Sequence, residues 1–335
     1  MMTVEQIYRL AIEQGIQNDI RGKAIVQRHL KRERERYDEM STKQKKWYDK
    51  EHLTNPYLDT RYFGDEKRSV RKLIAGIDMG SSEVILAHEL NKQNPKKPID
   101  LILSHHPLGK GITEGLSDVM RLQIELLHKF GIPVNIAESL TKKRLSEVSK
   151  NTQSGNFFGT IDAAALLGYP VLCVHTPSDN MVATMLFNII KKREKRLLTV
   201  GDIMDMFMEI PEYQIAMERG NGPYVLIGDR ENYAGKIAVT DITGGTEGSP
   251  DMYEKLAHFG IGTIIGMHLS TKHEEEARKH HINVVIAGHM SSDSLGLNLF
   301  LDNLERCGIE IVATSGFTRV SRISRSARSR SKRQI

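Results

Sequence analysis

The chain has 335 residues, 39% of them apolar and 27% charged, with 47 Lys and Arg against 42 Asp and Glu. That composition allows one large domain or two of ordinary size around a real core, and it excludes a largely disordered chain. No apolar run approaches the roughly 18 residues of a membrane helix. The opening MMTVEQIYRL lacks the basic-then-apolar texture of an export signal. Only Cys173 and Cys307 are present, which excludes a disulfide framework and suits a reduced, cytoplasmic setting. The net charge of +5 is a property of one end. Residues 317–335 (FTRVSRISRSARSRSKRQI) hold six Arg, one Lys and no acid, so residues 1–316 stand at −2. This tail is expected to be disordered, and its charge would suit nucleic acid or other polyanions.

In chain order, TVEQIYRLAIEQ (3–14) predicts a helix: Thr3 stands three residues before Gln6, and Val4, Ile7, Leu10 and Ala11 recur at helical spacing. Residues 20–50 hold eleven Lys and Arg and five Asp and Glu, an exposed helix or helical pair with Trp47 and Tyr48 as docking points. Asn55-Pro56 breaks that pattern. From about residue 70 strands and helices alternate. Strands are expected at 72–78 (KLIAGID), 99–104 (IDLILS) and 132–137 (IPVNIA), with helices from 80 to 90 and near 115–130. A further strand, YPVLCV, precedes residue 175. Downstream the order recurs: strands at 236–242, 262–267, 283–287 and 309–313, and helices opening at Ser249-Pro250-Asp251, at 272–280 and at 291–305. Strands separated by single helices imply parallel βαβ units, here two versions of one unit. Ligands of such sheets bind at the carboxyl ends of the strands.

Polar clusters fall at those ends. Ser104-His105-His106-Pro107 follows IDLIL, His175-Thr176-Pro177-Ser178-Asp179 follows YPVLCV, and His289 with Asp293 four residues on follows NVVIAG. Alone, each has a plain reading as loop or helix-cap residues. Together, imidazoles and carboxylates suit Zn, Fe or Mn, and they are too many donors for one closed four-coordinate ion. They suit two ions sharing a carboxylate, for which Asp179 is the expected bridge. Glu138, His175, His268 and Glu247 are candidate proton-transfer or supporting groups, and Gly244, Gly245 and Gly248 form a candidate phosphate loop.

These motifs resemble those of the Nif-three-like dinuclear metal-centre proteins, a family known in part as GTP cyclohydrolase I type 2 homologues. SHHPL (104–108), HTPSD (175–179) and GHMSSD (288–293) stand in the family's order, and the likeness spans roughly residues 58–316. The resemblance implies two similar βαβ-type α/β halves around a dinuclear site. It implies His105, His106, Asp179, His289 and Asp293 as ligands of two divalent ions, and a ring-like homo-hexamer. The family usually has Glu where Asp293 stands, and its Trp-Asp-Asn turn is replaced by Leu58-Asp59-Thr60. The expected organisation is a charged helical extension (1–57), a metal-binding core (58–316) and the basic tail (317–335). The function expected is a metal-dependent hydrolase of a nucleotide-like or phosphorylated small molecule. The alternatives are a non-catalytic regulatory metal module, or nucleic-acid binding through the basic ends.

Overall fold

The computed structural model describes residues 1–323. The chain opens with β1 (Met2–Thr3), α1 (Val4–Gln17), α2 (Lys23–Glu39) and α3 (Thr42–Lys45). Then come β2 (Arg61–Phe63), β3 (Ser69–Val70), β4 (Lys72–Gly76), α4 (Ser81–Gln93), β5 (Leu101–Ser104), α5 (Leu116–Val119), α6 (Leu122–Lys129), α7 (Val134–Gln153), α8 (Gly159–Leu166), β6 (Val171–Cys173) and α9 (Thr176–Arg193). The remainder is α10 (Val200–Phe207), α11 (Pro211–Glu218), β7 (Tyr224–Ile227), β8 (Lys236–Val239), α12 (Met252–His258), β9 (Ile261–Gly266), α13 (Thr271–Lys279), β10 (Asn283–Ile286), α14 (His289–Arg306) and β11 (Glu310–Ala313).

The two βαβ series form two sheets, one of order β11-β4-β5-β6-β2 and one of order β7-β10-β9-β8. Within each, the strands are parallel except for one antiparallel edge, β2 and β7 respectively. The first sheet is covered on both faces, as parallel sheets are. Leu73, Ala75, Leu101 and Leu103 enter the main core, whereas the alternating Ile74 and Ile102 enter a smaller one with Val84 and Ala87 of α4. The main core runs on into the second sheet through Val239, Ile264 and Val284. Helix α1 belongs to it as well. Its Thr3–Gln6 capping box forms, and Val4, Ile7 and Ala11 are fully buried.

Three sequence expectations are corrected. Residues 132–137 are not a strand: Val134 begins the long helix α7, directly after Pro133. Ala137, Thr141 and Val148 recur on its buried side, and that helical period outweighs the β-branched texture of IPVNI. The last strand does not close the second unit. β11 crosses back to pair in parallel with β4 in the first sheet. Finally, the start of the basic tail is ordered. Phe317 is buried, Arg319 pairs with Asp302 and Glu305, and Arg322 pairs with the buried Glu212. The expectation for the rest of the tail concerns residues 324–335, outside the described ones. Among the described residues no helix is long and apolar enough to cross a membrane.

Candidate metal centre

Each polar cluster is aimed by the element it ends. Past β5, the His105 N–H still donates to Gly76 O and the His106 N–H to Ile77 O, so both residues stay held against β4 after the strand stops. His105 is wholly buried. Its Nδ1 lies 3.1 Å from Val174 O, an acceptor only, which puts the ring proton there and leaves Nε2 a bare donor. That Nε2 is 3.4 Å from Asp179 Oδ1 and 3.4 Å from Asp293 Oδ1. His106 has Nδ1 2.6 Å from Asp78 Oδ1 and Nε2 3.3 Å from Asp293 Oδ2.

Asp179 sits in the first turn of α9 and Asp293 one turn into α14, four residues after His289, each buried. Gly288 precedes α14 at φ +94°, and a Cβ there would meet Ser291 Oγ at 2.6 Å, so only glycine makes this turn. The turn sets His289 at the first helical position, with Nε2 3.4 Å from Asp293 Oδ2. A second glycine, Gly296, lets α14 close on α9: a Cβ would lie 2.6 Å from Ser178 O, beside Asp179.

The electrostatics are those of crowded donors. Burial pushes the Asp179 carboxyl up to about 6. Burial acts the same way on Asp293, but the imidazoles of His105, His106 and His289 outweigh it and hold Asp293 far below the carboxylate range. For His175, burial opposes the charged ring, yet Asp179 and Asp59 raise it to about 9. Among the described residues, five buried side-chain atoms have no hydrogen-bond partner: Asp59 Oδ1, His105 Nε2, Asp179 Oδ1 and both oxygens of Asp293. His105 Nε2 faces Asp179 Oδ1 and Asp293 Oδ1, while Asp293 Oδ2 is turned to His106 and His289. An unpaired buried polar atom costs about 1–3 kcal/mol, more when charged, and a cation held among these donors would offset that cost. The donor set fits a metal on that ground. Among the described residues, three groups have ligand atoms mutually within 4.8 Å: His105/His106/His175, His106/His289/Asp293 and His105/Asp179/Asp293. Asp293 is the carboxylate common to two of them, and it turns one oxygen to each. Asp179 belongs to one of the groups.

The supporting residues sort clearly. His175 lies inside the cluster, its Nδ1 2.7 Å from Asp59 Oδ2 and its Nε2 3.7 Å from Asp179 Oδ2. His268, at the end of β9, stacks 4.9 Å from the His289 ring and places Nδ1 3.1 Å from Glu247 Oε1. Burial would raise Glu247, but hydrogen bonds from His268 and the Ser270 N–H bring it down to about 2. Both residues line a small cavity of about 30 Å³ with Asp179 and Asp293. A wider groove of about 450 Å³ opens over His106, His175, His268 and His289, walled by Leu108, Ile112 and Leu116. Glu138 does not join them. With residues 132–137 helical rather than extended, it falls on an exposed flank of α7 and pairs with Lys142 at 3.0 Å.

Of the candidate phosphate loop, Gly245 lines both cavities. Gly244 O accepts from Gln123, and the Gly248 N–H donates to Asp241. Sequence reasoning passed over Asp59, Asp78 and Asp241. Each lies next to a strand end, but the histidines paired with Asp59 and Asp78 lie 116 and 28 residues away, so no local pattern marked them.

These features define a two-sheet α/β protein with a His/Asp cluster where the strand ends of both sheets meet. No family model of protein sequences matches the chain, and no curated protein does. Among solved structures it is similar to a NIF3 superfamily protein from Sphaerobacter thermophilus, with 27% identity and a TM-score of 0.71 over 79% of this chain and 94% of that one. More distantly it is similar to reduced HcgD from Methanocaldococcus jannaschii (16%, TM-score 0.43, 76% and 87% covered). The hypothetical protein SA1388 from Staphylococcus aureus stands at a like distance (16%, TM-score 0.42, 79% and 92% covered). The chain thus has the NIF3 superfamily fold, that of the Nif-three-like family its motifs resemble.

Proposed function

We propose that the chain is a metal-dependent hydrolase of a small phosphorylated or nucleotide-like molecule, holding two divalent ions through His105, His106, Asp179, His289 and Asp293. The observation that carries this reading is the set of four buried donor atoms without hydrogen-bond partners on His105, Asp179 and Asp293. Imidazole and carboxylate donors suit Zn, Fe or Mn. Such ions would supply Lewis acidity, neutralising substrate charge and acidifying a bound water.

The chain's own residues do the rest. His105/Asp179/Asp293 would hold one ion and His106/His289/Asp293 the other, with Asp293 between them. Asp59 orients His175 and Glu247 orients His268, and both rings face the groove, where they can carry a proton to or from substrate. Leu108, Ile112 and Leu116 would shelter the body of the substrate, and Gly245 would bring backbone to its edge. The proposal takes residues 58–316 as the metal-binding core and 1–57 as an extension of it. It includes a ring-like homo-oligomer and a cytoplasmic setting, as the resemblance and the two free thiols suggest.

The test is metal content and turnover. Protein purified without chelator should carry about two ions per chain, and should hydrolyse at least one member of a nucleotide and phosphoester panel in Zn, Fe or Mn. Metal-free protein under those conditions would overturn the site. Protein loaded with two ions yet inert across the panel would overturn the hydrolase and leave a regulatory metal module.

A further inference from the structure

Residues 23–53 form an arm that the metal centre does not use. Helix α2 buries only Val26 and Leu30 along its 17 residues. Residues 23–46 carry nine Lys and Arg against four Asp and Glu. Arg28, Arg32 and Arg36 recur at intervals of four, which lines them along one side of the helix. Arg36 lies 3.8 Å from Glu33, whereas Arg28 and Arg32 have no anionic partner among the described residues, nor does Lys43. At the end of the arm stands Trp47, 81% exposed, with the Lys46 ammonium 5.3 Å from its ring centre.

The arm is braced rather than loose. Tyr37, Tyr48 and His52 stack in series at 5.1 and 5.4 Å. The Tyr48 hydroxyl donates to Glu33 and Arg34 Nε donates to Leu53 O. Asp49 ties the base to Arg61 at 2.6 Å and Lys110 at 3.0 Å. A large indole held out in water on such a support is unusual, since tryptophan is ordinarily well buried. A row of guanidinium groups, two of them unpaired, together with an exposed aromatic face is a combination that binds single-stranded nucleic acid. The cations track the phosphates, and the ring stacks on an unpaired base.

We propose that this arm is a binding surface for single-stranded nucleic acid, with Arg28, Arg32 and Lys43 on the backbone and Trp47 stacked on a base. Lipid suits the surface poorly, because the exposed side of α2 offers charge and no apolar row to bury. The surface is independent of the metals and of the hydrolase reading.

Trp47 is the sole tryptophan of the chain, so its emission reports on the arm alone. In full-length protein, oligothymidylate or oligouridylate should quench it. With three or four phosphates neutralised, binding should weaken roughly 20- to 50-fold between 50 and 200 mM salt. Measured by anisotropy of a labelled oligonucleotide, Trp47→Ala should weaken binding about tenfold, and Arg28→Glu/Arg32→Glu at least as much. Chelator should change none of this. Oligonucleotide bound without any change in Trp47 emission would place binding elsewhere, as in the Arg/Ser end, and would overturn the proposal. So would unaltered affinity in both variants. A blue shift seen only with anionic vesicles, or only on raising protein concentration, would assign the indole to a lipid surface or a second copy instead.

Discussion

At the ends of the equivalent strands β5 and β9 stand His105-His106 and Met267-His268, and in the two sheets acids stand close by. The first sheet supplies His105 and Asp179, which, with Asp293 from α14, turn bare donor atoms toward one another without partners. The second supplies Glu247, whose carboxylate accepts from His268 and from the Ser270 N–H and lies 3.7 Å from His273. Both sets are largely buried, so burial does not separate a ligand site from a brace. Satisfaction does: a buried carboxylate with its hydrogen bonds made needs no ion, and one without them is stable only beside a cation.

The largest expected effect breaks the first set. Asp293→Ala should take the bound ions from about two per chain to none, because the two groups that include a carboxylate both lose Asp293. Asp179→Ala should leave the His106/His289/Asp293 group and retain about one ion. Equal loss in the two variants, measured by elemental analysis, would remove Asp293 from the shared position. Next comes the approach of the helices that carry these acids. Gly296→Ala sets a Cβ against the Ser178 carbonyl, backbone that cannot swing aside, and should cost about 2–3 kcal/mol in denaturant unfolding while lowering metal affinity. Stability within about 0.5 kcal/mol of wild type would show that α14 and α9 have room to spare.

The smallest effect probes the second set. Glu247→Gln should keep both ions and cost about 1–2 kcal/mol near neutral pH. Glu247 titrates in the folded chain at about 2, below its ordinary 4.5. Its stabilisation is therefore in place above about pH 4.5 and is lost as pH falls toward 2. The variant should lack that part of the acid dependence in metal-free protein. An unchanged acid limb would mean that the carboxylate is not the brace it looks like.

The residues that gather in the cluster, His105, His106, Asp179, His289 and Asp293, were legible in the sequence because each needs only a nearby strand end and a donor side chain, and both are local facts. What the sequence withheld was non-local. Glu138 depended on whether IPVNIA extends or coils, and Pro133 together with the spacing of Ala137, Thr141 and Val148 settles that only when burial is known. That Asp293 stands in two of the groups and Asp179 in one depends on the approach of α14 to α9 at Gly296, between segments more than a hundred residues apart. Asp59 is plain in the sequence, but its partner His175 is brought to it by the antiparallel pairing of β2 with β6. The tail misled through composition. Its first two arginines find Asp302, Glu305 and Glu212, acids that no local pattern connects to them.

The return of β11 to the first sheet bears on how the chain is made. β4 begins at residue 72 and its neighbour β11 at residue 310, so the sheet that holds His105 and His106 gains its last strand only when nearly the whole polypeptide has left the ribosome. Until then β4 is an open edge, able to pair with a strand of another nascent chain. Closing so long a loop is also slow. A product truncated before residue 310 would keep four of the five strands of that sheet and leave β4 unpaired on one side.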